Sequence, residues 1–412
     1  MKRGIFLKIG ILCEFAFILF LFTYIILHYS FPPDSQSVVT DNVSRNSENA
    51  AGLQNSGTSI TLEDPESGEG TGNSGSLEDA TTGDSDSDYI KWVEFNVSEQ
   101  ALEDAYKLDV NSQANEVRLN WVELLAYLGA KYGGDFKSYK QSDLTNFAQK
   151  LQNQETTIDA VSANMKYYNY YYQAYDAVLG GLVGNYQIQT ASDSNPDELA
   201  WVDKYGLKGF SPIAKGYSYS DYDDFGVSRS YGYRRNHLGH DMMGQIGTPI
   251  IAVESGYVEV MGWNQYGGWR IGIRSFDKKR YYYYAHLRQN FPFNKSLQEG
   301  SVVQAGDVIG YMGHTGYSST ENVNNIDQVH LHFGLELIFN ECQKECNNEI
   351  WVDCYALTQF LYKNKCQTVK DPDTKEYSRV YQIIDPAAEQ YRAENGLESA
   401  TSPDVSTNGT SN

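Results

Sequence analysis

Apolar and polar positions divide the chain into segments of different physical character. Residues 9–28 are almost uninterrupted apolar sequence, long enough to cross a bilayer core as one helix. Glu14 is the exception, and a charge near a helix centre costs roughly 3 kcal/mol. About a dozen Ile, Leu and Phe residues return about 0.5 kcal/mol each, so the sum favours insertion. Lys2, Arg3 and Lys8 precede the run and an acidic flank follows it. The positive-inside tendency therefore predicts a cytoplasmic tip (residues 1–8), a signal anchor (9–28) and an outward-facing remainder in a single-pass cell-membrane protein. A cleaved signal peptide is the alternative. Against it, the run exceeds a signal core, and His28-Tyr29-Ser30-Phe31-Pro32 lacks a small-x-small cleavage site.

Periodicity disappears over residues 29–89. Between 33 and 88 there is no aromatic residue and Arg45 is the only basic one. Such a segment cannot bury enough apolar surface to offset its ordering entropy, which predicts a disordered acidic spacer. Helical spacing returns over 90–190, an expected all-α domain. Asn96 or Ser98 can cap a helix bearing Ala101, Leu102, Ala105 and Leu108. A second carries Trp121, Leu124, Leu125 and Leu128 and stops at Gly133-Gly134. Ser142 is the expected cap of a third. The fourth holds Tyr167, Tyr168, Tyr170, Tyr171, Tyr172 and Tyr175, read as bundle core and rim rather than a binding surface. Within the unit that follows, strand alternation is clearest near the end. In 329–338, His330 and His332 share one face and Leu331, Phe333 and Leu335 the other. The same alternation sends Tyr282 and Tyr284 towards the His286 face and Tyr281 and Tyr283 away. Residues 387–412 are polar again, an expected disordered tail. The fold class is therefore multidomain: membrane helix, helical domain, then a further domain over 205–365.

The formal net charge of −21 comes largely from the spacer. It argues against nucleic-acid binding and says little about substrate. Of five cysteines, Cys13 lies in the apolar run; Cys342, Cys346, Cys354 and Cys366 cluster late in the chain. On the outer side of a membrane, two disulfides among those four are expected, with three pairings open.

Histidine usage changes the picture most. Six of the seven histidines fall between 237 and 332. They sit in His237-Leu238-Gly239-His240-Asp241, Tyr284-Ala285-His286-Leu287, Gly313-His314-Thr315-Gly316 and His330-Leu331-His332. A hydrolytic zinc site needs three protein ligands and an open fourth position. His237, Asp241 and one of His330 and His332 supply that set, leaving two imidazoles for proton transfer. By parity His240 points away and reads as structural; His314 reads as a solvated turn residue.

Residues 210–340 resemble the lysostaphin-type zinc metallopeptidases, LytM-like endopeptidases that cut peptide links in bacterial peptidoglycan. The matching positions are His237, Gly239 and Asp241, then Tyr284, His286 and Leu287, then His330 and His332. Asp224-Phe225-Gly226 and Tyr231-Gly232-Tyr233-Arg234 resemble the lead-in to the first ligand. The resemblance implies a mainly antiparallel β peptidase domain over 205–365, with one zinc per chain on His237, Asp241 and His332. It implies that His286 and His330 orient the attacking water and stabilise the tetrahedral intermediate. Two departures stand out: residues 318–328 lengthen the loop before His330, and Gly334 stands where the family usually has glutamate. The expected function is a membrane-anchored peptidoglycan endopeptidase, with envelope proteins as candidate partners of the helical domain. The alternative is a non-catalytic wall-binding protein on the same fold, such as a sporulation channel component or hydrolase activator. Retention of all five site residues favours catalysis.

Overall fold

The structure is a computed structural model that describes residues 89–191, 198–230, 234–345 and 348–399. The expected anchor, the spacer up to residue 88 and the end of the tail lie outside those residues. Among the described residues no helix is long and apolar enough to cross a membrane.

The helical region starts where capping chemistry permits. Helix α1 (Glu99–Asn111) begins at Ser98, whose Oγ accepts from the Ala101 N–H. In α2 (Trp121–Tyr132), Asn120 Oδ1 accepts from the Val122 and Glu123 N–H groups, and Gly133 at φ 63° ends the helix. Helix α3 (Gln141–Gln152) starts one residue before the expected cap. Lys140 precedes it without a side-chain cap, and Ser142 lies inside the first turn. Helix α4 (Ile158–Asn164) was not expected; it buries only Val161, too little to set a periodic pattern. In α5 (Tyr168–Leu179), Tyr168, Tyr170, Tyr171 and Tyr175 are core residues.

Past α5 the expected helical region is corrected. Residues Val183–Ala191 (β1) pair antiparallel with Leu199–Leu207 (β2), and Ile383–Ile384 joins the other edge of β1. These strands are half-exposed, so they lack the clean alternation that would have marked them. The expected loose tail is likewise corrected in part. Asp385 caps a helix, Pro386–Glu394, that has Pro at its first turn.

The rest is antiparallel β structure. A hairpin of β3 (Ser228–Ser230) and β4 (Arg234–Asn236) leads to β5 (His240–Met243), β6 (Pro249–Ile251), β7 (Gly256–Asn264), β8 (Gly268–Ser275) and β9 (Arg280–Ala285). Then come β10 (Val302–Val303), β11 (Val308–Tyr311), β12 (His330–Leu337) and β13 (Ile350–Trp351). The main sheet runs β10-β7-β8-β9-β12-β13, with β5 also paired to β12. Strand β12 is central because Leu331, Phe333, Leu335 and Leu337 are all fully buried on one face. Its other face is left to carry His330 and His332.

Two side-chain expectations fail. Tyr282 and Tyr284 turn into the core beside Phe333, their hydroxyls bonded to Glu254 and to the Val253 N–H. It is Tyr283 that stands over the His332 ring, at 6.0 Å between centroids. Alternation misplaced them because His286 has φ 61°, which breaks the pleat just after β9. Nor are there two disulfides: Cys342, Cys354 and Cys366 are free thiols, and Cys346 lies outside the described residues. Cys354 sits in the main core against the Phe333 carbonyl, whereas Cys366 belongs to a separate cluster around Phe210.

One buried cation joins helical region to sheet. Arg280, 1% exposed, donates from Nε to Glu254 at 2.7 Å and from Nη1 to the Asp176 and Ala177 carbonyls at the end of α5. Gly181 makes room for this; a Cβ there would lie 1.5 Å from Glu254 Oε1. Arg280→Ala should cost about 3–5 kcal/mol, since it strands a buried carboxylate and two helix-end carbonyls. Urea unfolding checks this, and a loss below about 1 kcal/mol would show the junction to be dispensable.

Candidate metal centre

Strand pairing builds the centre. Asp241 on β5 lies directly opposite His332 on β12. His237 precedes β5, its backbone N–H donating to the Val227 carbonyl. Gly239 permits the close approach: a Cβ there would lie 2.6 Å from His332 Cε1. All three side chains are buried. His237 Nε2 lies 3.0 Å from Asp241 Oδ1 and 3.1 Å from His332 Nδ1, and the latter two are 2.9 Å apart. Ligand atoms each about 2.0–2.2 Å from one tetrahedral zinc ion lie about 3.3–3.6 Å from one another, so the triangle, a few tenths of an ångström tighter, has close to the size and the donor chemistry of a zinc site. Among the described residues it is the only such group of potential metal ligands.

The donors are held from behind. His237 Nδ1 lies 2.9 Å from Asp224 Oδ1, close enough for that carboxylate to keep the proton on this nitrogen. Nε2 then presents its lone pair to the cluster. Asp241 Oδ2 accepts from Arg229 Nη1 at 2.8 Å, leaving Oδ1 to the cluster. Electrostatics express the same crowding. Burial pushes the His237 imidazole down, but Asp224 and Asp241 outweigh it and bring its pKa up to about 9. Burial pushes Asp241 up, yet hydrogen bonds from His237 and His332 hold it well below the usual carboxylate range.

His286 and His330 stand beside this triangle, their ring centroids 4.7 Å apart. His286 Nδ1 donates to the Thr315 carbonyl at 2.9 Å, and His330 Nδ1 to the Gln328 carbonyl at 2.9 Å. That tautomer places the acceptor lone pair of each ring on Nε2. His330 Nε2 is 3.8 Å from Asp241 Oδ1. Burial lowers the His330 pKa more than the Asp241 charge raises it, so the ring is neutral at pH 7.

Both rings open onto a groove of about 1010 Å³, lined by Arg229, Tyr266, Tyr317, Asn325 and Gln328 among others. The lengthened 318–328 loop is one wall, and it is tied down. Asn322 Oδ1 accepts from Trp269 Nε1 and the Asn290 N–H, and His314 Nδ1 donates to the Ile326 carbonyl at 2.6 Å. His314 is therefore a loop anchor rather than a solvated turn residue. His240 belongs elsewhere: its Nδ1 meets Thr358 Oγ1 at 2.7 Å and its Nε2 lies 3.0 Å from Asp221. At Gly334, Trp351 fills the space a side chain would need, 2.6 Å from a notional Cβ. Asp224, Arg229, Thr315 and Tyr317 are the site residues that sequence patterns did not single out by role. Asp224 lay within the lead-in motif, but the others had no spacing to mark them.

Residues 235–344 match Peptidase family M23, so the chain carries a domain of that family. It is 40% identical over 124 residues to the L-Ala--D-Glu endopeptidase of Bacillus subtilis (strain 168), covering 30% of this chain and 36% of that protein. It is 33% identical over 147 residues to the glycyl-glycine endopeptidase ALE-1 of Staphylococcus capitis, covering 35% of this chain and 33% of that one. The chain thus spans about a third of the length of these curated relatives. Among solved structures, a lytM of Ruminococcus gnavus aligns over 67% of this chain and 93% of its own, at 25% identity and a TM-score of 0.43.

Proposed function

We propose that this chain is a zinc-dependent endopeptidase that hydrolyses peptide bonds of peptidoglycan. The observation that carries the reading is the convergence of His237, Asp241 and His332 with His286 and His330 beside an open groove. Two relatives that are endopeptidases by name support it. His237, Asp241 and His332 would hold the ion. Zinc bound there would lower the pKa of water to about 7 and polarise the scissile carbonyl. The remaining work falls to the chain. Nδ1 of His286 and of His330 is committed to a backbone carbonyl, so proton exchange with water and leaving amine runs through Nε2. Neutral His330 is ready to accept a proton, and the tied 318–328 loop gives the substrate a rigid wall to lie against.

Digestion of purified peptidoglycan by the zinc-loaded protein, with mass spectrometry of the new ends, tests the activity and identifies the bond. A protein that holds zinc yet cleaves no wall chemotype would instead be a wall-binding scaffold. The apolar run at 9–28 supports a membrane-anchored location with the peptidase facing outward. Recovery of full-length protein only in the soluble fraction of lysed cells would remove that part of the proposal.

A further inference from the structure

We infer that Arg229 is a positioning residue of the metal centre, a clamp that sets Asp241 directly and His237 through Asp224. The inference rests on the zinc reading above. Arg229 lies on β3, outside the ligand-bearing strands. Nη1 donates to Asp241 Oδ2 at 2.8 Å, and Nη2 donates to Asp224 Oδ2. Asp224 Oδ1 contacts His237 Nδ1, and His237 Nε2 meets Asp241 Oδ1. The four side chains therefore form a closed ring, and the place for the ion lies on the Asp241–His237 edge, opposite the guanidinium.

The chemistry of each member follows from that ring. A planar guanidinium with both terminal nitrogens engaged fixes the separation of the two Oδ2 atoms, which an ammonium cannot do. Asp241 Oδ2 is thereby occupied, so Asp241 offers a metal only Oδ1. Asp224, pinned by the same group, keeps the His237 proton on Nδ1 and its lone pair on Nε2. The guanidinium also lies between two carboxylates that are each only 8% exposed, whose repulsion would otherwise drive them apart. Arg229 lines the groove, and both of its terminal nitrogens are engaged by these acids.

The test is zinc affinity by chelator competition on the full chain, with the visible spectrum of the cobalt(II)-loaded protein as a geometric readout. R229M should weaken zinc binding about 10–100-fold, the range expected when an outer partner of a ligand is lost. R229K should fall between R229M and wild type, and both variants should shift the cobalt spectrum. D224N should weaken zinc binding in the same range and adds little in the R229M background, because both act on one ring. If R229M does not fold, R229K and D224N carry the same comparison. Wild-type zinc affinity in R229M or R229K overturns the inference, and a raised KM at unchanged affinity would make Arg229 a substrate contact instead. Absence of zinc from the wild-type protein would remove the reading of the centre itself, and this inference with it.

Discussion

Asp241→Ala should leave the protein without stoichiometric zinc and without measurable hydrolysis of peptidoglycan. Asp241 is the hinge of the cluster. Its Oδ1 lies within 3.0 Å of both imidazole donors, while its Oδ2 takes the Arg229 guanidinium. The alanine variant would keep two imidazole donors but lose the anionic one, beside a cation that repels the ion. Loss of affinity should exceed the 10–100-fold expected of an outer partner, by orders of magnitude, because a direct ligand and a negative charge go together. His237→Ala and His332→Ala should behave alike. His240→Ala is the control from the same strand: its ring bonds Thr358 and Asp221, so zinc should stay while stability falls. Metal analysis of the purified variants decides it. Full zinc content in Asp241→Ala, or equal loss in His240→Ala, would show that the ion is held elsewhere.

Much of this centre was legible in the sequence because its donors lie close together along the chain. His237 and Asp241 are four residues apart, and His330 and His332 share a face by strand parity alone. What joins the two groups is the register of β5 on β12, a long-range pairing that short spacing does not encode. The clamp was hidden for the same reason. Arg229 and Asp224 reach the site from a hairpin and its approach, and only the fold brings their side chains to Asp241 and His237. Parity failed at Tyr282, Tyr283 and Tyr284 because it assumes an unbroken pleat, and the left-handed residue that breaks it is His286 itself. In the helical region, Ser98 gave a true start because its cap is a local hydrogen bond. Helix α4 and the β1–β2 hairpin were missed because what stabilises them is packing and pairing, not a repeat of apolar positions. The cysteines misled through their nearness in sequence: Cys354 and Cys366 are buried in different clusters.

His330→Ala should keep its zinc and lose hydrolysis by about 10²–10⁴-fold, the usual worth of a positioned general acid or base. The geometry separates the two effects. His330 Nε2 is 3.8 Å from Asp241 Oδ1, outside the triangle of donors, so the alanine variant removes a proton carrier and no ligand. His286→Ala should lose activity in the same range, because its Nε2 serves the same groove while Nδ1 is fixed to Thr315. The pH profile carries an independent signal. Burial holds the His330 pKa below its ordinary 6.5, so the neutral, proton-accepting ring persists as pH falls through that value. The zinc-saturated wild type should therefore keep its kcat/KM to below pH 6.5 and lose it only on further acidification, when His330 takes a proton. In His330→Ala that acid limb should flatten, since the group that titrates is gone. An acid limb above pH 6.5 that survives His330→Ala would assign the base to another residue, and loss of zinc from the variant would make His330 a ligand rather than a proton carrier.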